Sequence, residues 1–172
     1  MTYKKIYSII TKSIGIVIME TMFITPKIIS QKCRYALRAI FELASRDKTD
    51  VTKISEIAAL QAVPPRFLEN ILVELKQAGF VASKRGNEGG YMLARPASEL
   101  TVGEVIAFIQ GQHKYNFVQP ASETLRNGDY AFSTLWSCLN NVISDVYDNT
   151  TFSDLVEEES KATKNYVPNY VI

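Results

Sequence analysis

Residues 54 to 95 constrain the fold of this chain most, because two helical patterns and a hairpin pattern follow one another there. The second helical pattern begins at Pro65, and proline is favoured at the first position of a helix, where a backbone N–H group is not needed. Gly79 is the residue type at which helices commonly end. Apolar residues between these two recur at helical spacing and predict one buried stripe: Phe67, Leu68, Ile71, Leu72 and Leu75.

A shorter helix is predicted over residues 54 to 61, with Ile54, Ile57, Ala58 and Leu60 buried. About three residues separate the two helices, which is the length of the turn in a helix-turn-helix motif. The second helix would be the recognition helix, in which arginine can bind guanine, asparagine adenine, and glutamate the amino group of cytosine. Taken alone, the two helices fit an ordinary helical hairpin equally well. The polar face of the second helix carries Arg66, Glu69, Asn70 and Lys76.

A hairpin pattern after the two helices favours nucleic-acid binding over that alternative. Strand-like runs at 80–85 and 90–94 flank a glycine-rich tip, where glycine permits positive φ and a close approach of the backbones. Lys84 and Arg85 stand at the base of the tip, where cations can enter a narrow minor groove. The predicted fold class is therefore mainly α with a small β-hairpin wing: a winged helix-turn-helix domain with a long dimerisation helix.

The charge distribution divides the chain more clearly than its net charge of +1. Residues 27–95 hold 12 basic and 7 acidic side chains, whereas residues 96–172 hold 4 basic and 10 acidic ones. We therefore predict a DNA-binding domain over 27–95 and a dimerisation or regulatory region with a C-terminal tail over 96–172. Residues 1–26 resemble a weak signal peptide that Glu20 interrupts. They are predicted to be a disordered extension or to precede the true start, with Met22 as a candidate initiator.

A first helix is predicted over residues 30 to 46, with Ser30 as its N-cap. Its core side is expected to carry Tyr35, Leu37, Ala39, Ile40, Leu43 and Ala44. Cations near its start could contact DNA phosphates, which adds affinity without sequence information. Each of them could equally be a solvated surface charge. These cations are Lys32, Arg34 and Arg38.

Three segments resemble the Rrf2 family of bacterial winged-helix regulators: IISQKCRYALRAIFELA, RFLENILVELKQAGFVASKRGNEGGYMLARP and LTVGEVIAFIQG. The similarity covers roughly residues 28 to 111, with a weaker continuation to 160, and AGFVASKRGNEGGYMLA is its most specific part. The resemblance implies a homodimer that binds a palindromic operator in double-stranded DNA. It also implies that Arg85 is the minor-groove arginine of the wing. The positions implied to read bases lie around Pro65, at Pro64, Arg66, Glu69 and Asn70.

The cysteine count argues against an iron–sulfur cluster. Family members that hold a cluster carry three clustered cysteines in the region that corresponds here to residues 112–130, and a cluster needs several such ligands close together. This chain has Cys33, Cys138 and one histidine, His113, so we predict no metal and no cofactor. Two cysteines also make a disulfide framework unexpected and indicate a reducing cytoplasm. Either cysteine could be a thiol sensor, although each also fits an inert small residue.

The acidic half contains three further helical patterns. Thr101 and Glu104 form a capping-box pattern that opens a helix to about Gln110, followed by a predicted loop over 112–130. The next helix, over 131–149, has a coiled-coil-like seam that could serve dimerisation or pack within one chain. That seam consists of Phe132, Leu135, Leu139, Val142 and Val146, widened by Trp136, Ile143 and Tyr147. Thr151 is expected to cap a last short helix over 152–159.

The end of the chain suggests a second partner. The segment TLWSCLNNVISDVYDNTTFSDL resembles the cluster-free, CymR-like branch of the family, which represses cysteine metabolism. The terminal Tyr170, Val171 and Ile172 also resemble the C-terminus of serine acetyltransferases, which inserts into the active site of O-acetylserine thiol-lyase (cysteine synthase). A terminal carboxylate and an apolar side chain suit such a pocket. The alternative is a frayed tail, or one that packs on its own domain.

These patterns predict a homodimeric, sequence-specific transcriptional repressor without a cluster. The alternative is a protein-interaction module that regulates an enzyme such as cysteine synthase through its tail. We do not expect an enzyme, because the sequence shows no nucleophile with an evident base, no paired carboxylates in a plausible pocket and no phosphate-binding loop. The glycine-rich tip at 86–90 does not open a helix, so it is not a nucleotide-binding fingerprint.

Overall fold

The computed structural model describes residues 29–46, 51–86, 89–111 and 127–165. The first helices are α1 (Gln31–Ala44), α2 (Ile54–Leu60) and α3 (Pro65–Gln77). An antiparallel hairpin follows, with β1 (Val81–Lys84) and β2 (Gly90–Leu93). After a 3-10 turn (Ala97–Glu99) come α4 (Val102–Gln110), α5 (Asp129–Asp148) and α6 (Phe152–Asn165). The predicted mainly helical fold with a hairpin wing is confirmed. None of the described helices has the length and apolar character that crossing a membrane requires.

Helix α1 is the central element, since it packs against α3, α4 and α6 and against β2. Its start is fixed as predicted: the Ser30 hydroxyl accepts a hydrogen bond from the Cys33 N–H at 3.2 Å. Tyr35 and Leu37, which were expected in the core, are only half-buried. The side chains of α1 that are buried include Cys33, Ala36, Ala39, Ile40 and Leu43. Small residues on this face let the neighbouring helices approach closely.

The predicted buried stripe of α3 is correct except at one residue, and that of α2 except at two, of which Ile54 is half-buried. Ile57 and Ala58 of α2 are buried, as are Leu68, Ile71, Leu72 and Leu75 of α3. Leu60 is 61% exposed and Phe67 is 60% exposed, so the prediction that both are buried was wrong. At about 100° per residue, each lies about 100° from the centre of the buried face of its helix, outside the arc that meets the core.

The wing is held to the rest of the domain by a short third segment. Val81 pairs with Leu93 and Lys84 with Gly90, which makes each strand shorter than predicted. Thr52 exchanges two backbone hydrogen bonds of 2.8 Å with Tyr91 and so extends the hairpin by one bridge. Gly90 is required there, because a Cβ atom would stand 2.4 Å from the Thr52 carbonyl oxygen. The bridge thus fixes the wing relative to α2.

Helix α4 begins as predicted, whereas α5 begins two residues earlier than predicted and α6 ends later than predicted. Thr101 and Glu104 form the expected reciprocal capping box of α4. Helix α5 begins at Asp129, inside the segment predicted as loop. Helix α6 extends to Asn165, whereas the sequence predicted an end near 159. Its additional turns are stabilised by Lys161, which pairs with Glu157 at 2.6 Å and Glu158 at 3.3 Å along the helix.

Cys33 is fully buried in the core of α1. Burial disfavours the charged thiolate and raises the pKa of Cys33 from 9.0 to about 11. The thiolate is the reactive form of cysteine, so Cys33 is chemically inert near neutral pH. Cys138 is exposed on α5 and offers a natural comparison.

We expect Leu72→Ala to destabilise the protein by about 2–5 kcal/mol, because Leu72 is fully buried and its truncation leaves a cavity. The neighbouring Val73→Ala is the matched control: Val73 is 49% exposed, and a change of only about 0.5 kcal/mol is expected. The free energy of unfolding in urea, at one fixed protein concentration, measures both. Equal losses of unfolding free energy in the two variants would show that α3 is rotated about its axis relative to the packing described here.

Alkylation by iodoacetamide near neutral pH should modify Cys138 first. The pKa of about 11 lowers the thiolate fraction of Cys33 about 100-fold relative to the ordinary value of 9.0. The rate of alkylation at Cys33 should therefore rise as the pH is raised towards 11. Mass spectrometry of a time course measures both sites in one sample. Rapid modification of Cys33 in the folded protein would contradict the packing of α1.

Candidate nucleic-acid interface

The outward face of α3 presents the predicted base-reading side chains together. Arg66, Glu69 and Asn70 are exposed, and no hydrogen bond or ion pair joins them to another described residue. Pro64 is the N-cap with an extended backbone, and Pro65 occupies the first helical position as predicted. Because the buried stripe of α3 is fixed against α1, these polar groups can only point away from the core. The face therefore offers donors and acceptors without a partner inside the domain.

The turn between α2 and α3 is held by an unusual backbone and by a polar network. Ala62 has φ 50, a left-handed conformation that is uncommon for any residue except glycine. The Val63 N–H donates to the Ala58 carbonyl at 3.0 Å, and the Val63 side chain is buried. Arg38 Nη1 donates to the Gln61 carbonyl at 2.9 Å, so this residue, a predicted phosphate contact, supports the turn. No sequence pattern indicated that role.

Glu42 links α1 to the same turn. This carboxylate is buried, and it accepts hydrogen bonds from Gln61 Nε2 at 2.9 Å and from Arg46 Nη2 at 3.0 Å. A buried charge is tolerated when it is paired and hydrogen-bonded in this way. Arg46 also lies 3.8 Å from Glu56 of α2. The network therefore orients the helix-turn-helix motif relative to α1.

The wing places its two cations beside the recognition helix. Lys84 and Arg85 are both exposed, and neither side chain forms a hydrogen bond or ion pair with another residue of the described part of the chain. Gly86 follows with φ 116, a conformation that favours glycine and turns the chain at the tip. Lys76 Nζ of α3 donates to Ser83 Oγ of β1 at 2.6 Å and so connects the helix to the wing. Residues 87 and 88 of the tip lie outside the described part.

The predicted phosphate contacts on α1 have partners within the domain. Lys32 Nζ lies 2.6 Å from Glu74 Oε2 of α3. Arg34 is half-buried and donates to Gln31. Both residues lie at the start of α1, and Lys32 is joined to α3 through Glu74. Their surroundings differ from those of Arg66 and Arg85, which are free within the described residues.

Helix α5 carries a line of apolar side chains that are exposed to solvent in the single chain. Phe132 is 55% exposed, Leu135 47%, Leu139 37% and Val142 49%. Val146, the fifth residue of the predicted seam, is half-buried. Ile143 and Tyr147 were predicted to widen the seam, but they pack against the core. They lie on a different side of α5, which meets α4 and anchors the helix.

The thiol and imidazole groups of this chain do not match the ligand set of an iron–sulfur cluster. No group of three or more metal-ligating side chains occurs within the described ranges. Cys33 is buried in α1 and Cys138 is exposed on α5. His113, the third candidate ligand in the sequence, lies outside the described residues. The predicted partner segment Tyr170 to Ile172 and the extension 1–26 also lie outside them.

Comparison with known proteins places this geometry in a family. The model of the Rrf2 family, described as an iron-dependent transcriptional regulator, matches residues 29–158. The chain is 32% identical to the HTH-type transcriptional regulator CymR of Bacillus subtilis over 74% of this chain and 88% of the relative. It is 31% identical to IscR of Pectobacterium atrosepticum over 76% of this chain and 80% of the relative.

The solved structures agree with the sequence comparison. The structure of CymR, the global cysteine regulator of B. subtilis, superimposes with a TM-score of 0.64 at 32% identity. The match covers 76% of this chain and 96% of that one. The polar face of α3, the basic wing and these matches lead to one conclusion: the chain belongs to the Rrf2 family of DNA-binding, winged-helix transcriptional regulators.

Proposed function

We propose that this protein is a cytoplasmic, homodimeric repressor that binds a palindromic operator in double-stranded DNA. The observation that carries the proposal is the set of exposed side chains on α3 without partners among the described residues: Arg66, Glu69 and Asn70. Groups of this kind form bidentate contacts with base edges in the major groove. Lys84 and Arg85 would reach the adjacent minor groove, where narrow A·T-rich tracts attract arginine. Residues 27–95 would supply these contacts.

The exposed seam of α5 supports a two-fold dimer, with residues 96–172 as the dimerisation region. An apolar line at spacings of three and four residues suits knobs-into-holes packing against a second copy. One winged helix reads few bases, and a two-fold protein doubles the site by binding two half-sites. The five residues of this surface are Phe132, Leu135, Leu139, Val142 and Val146.

We further propose that the protein works without an iron–sulfur cluster and controls cysteine or sulfur metabolism. The family description includes iron dependence, but this chain has only two cysteines and one histidine. The similarity to the global cysteine regulator of B. subtilis favours a sulfur-related role. Binding of cysteine synthase through Tyr170 to Ile172 stays a prediction from the sequence.

The test of DNA recognition begins with selection of bound sequences from a random duplex library. Arg66→Ala and Asn70→Ala should each relax base preference at one position, at a cost of about 1–3 kcal/mol in binding. Arg85→Ala should weaken binding most where the flanking sequence is A·T-rich. Lys164→Ala on α6 is the control for losing one exposed cation away from the interface. Electrophoretic mobility shifts measure all four variants.

Unchanged affinity and unchanged base preference in all three interface variants would refute the recognition surface. A loss of the same size in Lys164→Ala would show that only net charge matters. Binding that does not depend on salt would argue for an interaction module, because neutralisation of phosphates gives a steep salt dependence.

The dimer has its own test on α5. Leu135→Glu should convert the protein to a monomer and strongly weaken operator binding, because the charge would be buried in the proposed seam. Ser137→Glu is the matched control: it introduces the same charge at an exposed position about 200° around the same helix. Sedimentation velocity measures the oligomeric state. A Leu135→Glu protein that remains dimeric would exclude this seam as the interface.

A further inference from the structure

A cleft separates the start of α1 from the recognition helix. It has a volume of about 430 Å³. Phe67, whose side chain is 60% exposed, lines it together with Tyr35, so two aromatic rings contribute to its walls. Asn70, one of the proposed base-reading residues, lies at the same cleft. A DNA strand that brings a base to Asn70 must therefore pass its sugar-phosphate backbone close to this opening.

An ion pair occupies the polar side of the cleft. Lys32 Nζ of α1 lies 2.6 Å from Glu74 Oε2 of α3, and the two side chains are 47% and 38% exposed. A lysine ammonium at such a cleft is a suitable site for a backbone phosphate, which it binds as a point charge. Here a carboxylate of the same chain already holds that ammonium. Glu74 therefore occupies the place beside Lys32 that a DNA phosphate would otherwise take.

We propose that the cleft is a phosphate subsite of the DNA interface, with Lys32 as its cation and Glu74 as an internal competitor. The proposal rests on the DNA-binding function proposed above. In the free protein Glu74 holds Lys32, and on DNA a phosphate oxygen takes the place of its carboxylate. Exposed ion pairs are weak, so this exchange is easily made. Because Glu74 competes with phosphate for Lys32, it lowers the affinity for every duplex. The base contacts of α3 then contribute a larger share of the binding free energy.

The prediction is tested with Glu74→Gln, Lys32→Gln and the double variant. The probe is a fluorescent duplex of random sequence, titrated by anisotropy over a series of salt concentrations, so that no operator needs to be known. Glu74→Gln should bind more tightly with a nearly unchanged slope of log affinity against log salt, because the contact between Lys32 and the phosphate forms on DNA in both proteins. Lys32→Gln should lower that slope by about 0.9, which corresponds to the loss of one phosphate contact. The tightening should be clearly larger when Lys32 is present than in the Lys32→Gln background.

Controls separate this effect from a general change of charge and from misfolding. Glu159→Gln removes the same charge from an exposed position on α6 and should tighten binding less than Glu74→Gln does. Circular dichroism and thermal unfolding of each variant establish that it is folded. Equal tightening by Glu74→Gln with and without Lys32 would overturn the proposal, since Glu74 would then act only as a distant negative charge. An unchanged slope in Lys32→Gln would overturn it as well, since Lys32 would then contact no phosphate.

Binding by the unmodified protein separates failure of the proposed DNA-binding function from failure of the proposed role of the cleft. If it binds no duplex even at low salt, the proposed DNA-binding function fails. If it binds with the usual salt dependence while the Glu74 and Lys32 variants show no coupling, only the role of the cleft fails. If the coupling is found, Glu74 is a residue that tunes DNA affinity without touching DNA.

Discussion

Burial of one face of α3 against α1 is the constraint on which the rest of the structure depends. Leu68, Ile71, Leu72 and Leu75 enter a core whose other wall is built from the small and branched residues of α1. Side chains on the opposite arc of a regular helix must then face away from the domain. The polar face with Arg66 and Asn70 is therefore exposed as a consequence of hydrophobic packing, and its availability to a duplex follows from the same cause.

Polar contacts then set the angle at which that face is presented. Glu42 is a buried carboxylate whose partners are Arg46, just after α1, and Gln61 in the turn. Arg38 donates to a carbonyl of the same turn. The left-handed backbone of Ala62 is held within this network. On the other side, Lys76 and Ser83 connect α3 to the wing, and the Thr52 bridge connects the wing to α2. The helix and the hairpin are thus held as one unit.

The two halves of the chain expose different kinds of side chain to solvent. In residues 27–95, exposed polar groups and cations suit a negatively charged partner, and Lys32 forms an ion pair with Glu74 of the same chain. In the other half, α5 turns Ile143 and Tyr147 to its own core and leaves an apolar seam uncovered. Apolar lines of this kind favour contact with another apolar surface. One helix can thus both complete the fold of its own chain and supply a surface for a second one.

What the sequence determined by itself was local. The caps at Ser30 and Thr101, the start of α3 at Pro65 and the hairpin around the glycines follow from interactions between residues a few positions apart, and all of them are present. The same patterns predicted the winged helix-turn-helix, and the family resemblance added the positions that would read bases. Only the tertiary structure decided the exposure of Leu60 and Phe67 and the pairing of Lys32 with Glu74. Those features depend on where a neighbouring helix lies, because periodicity defines the faces of a helix but not the width of the arc that its neighbours cover.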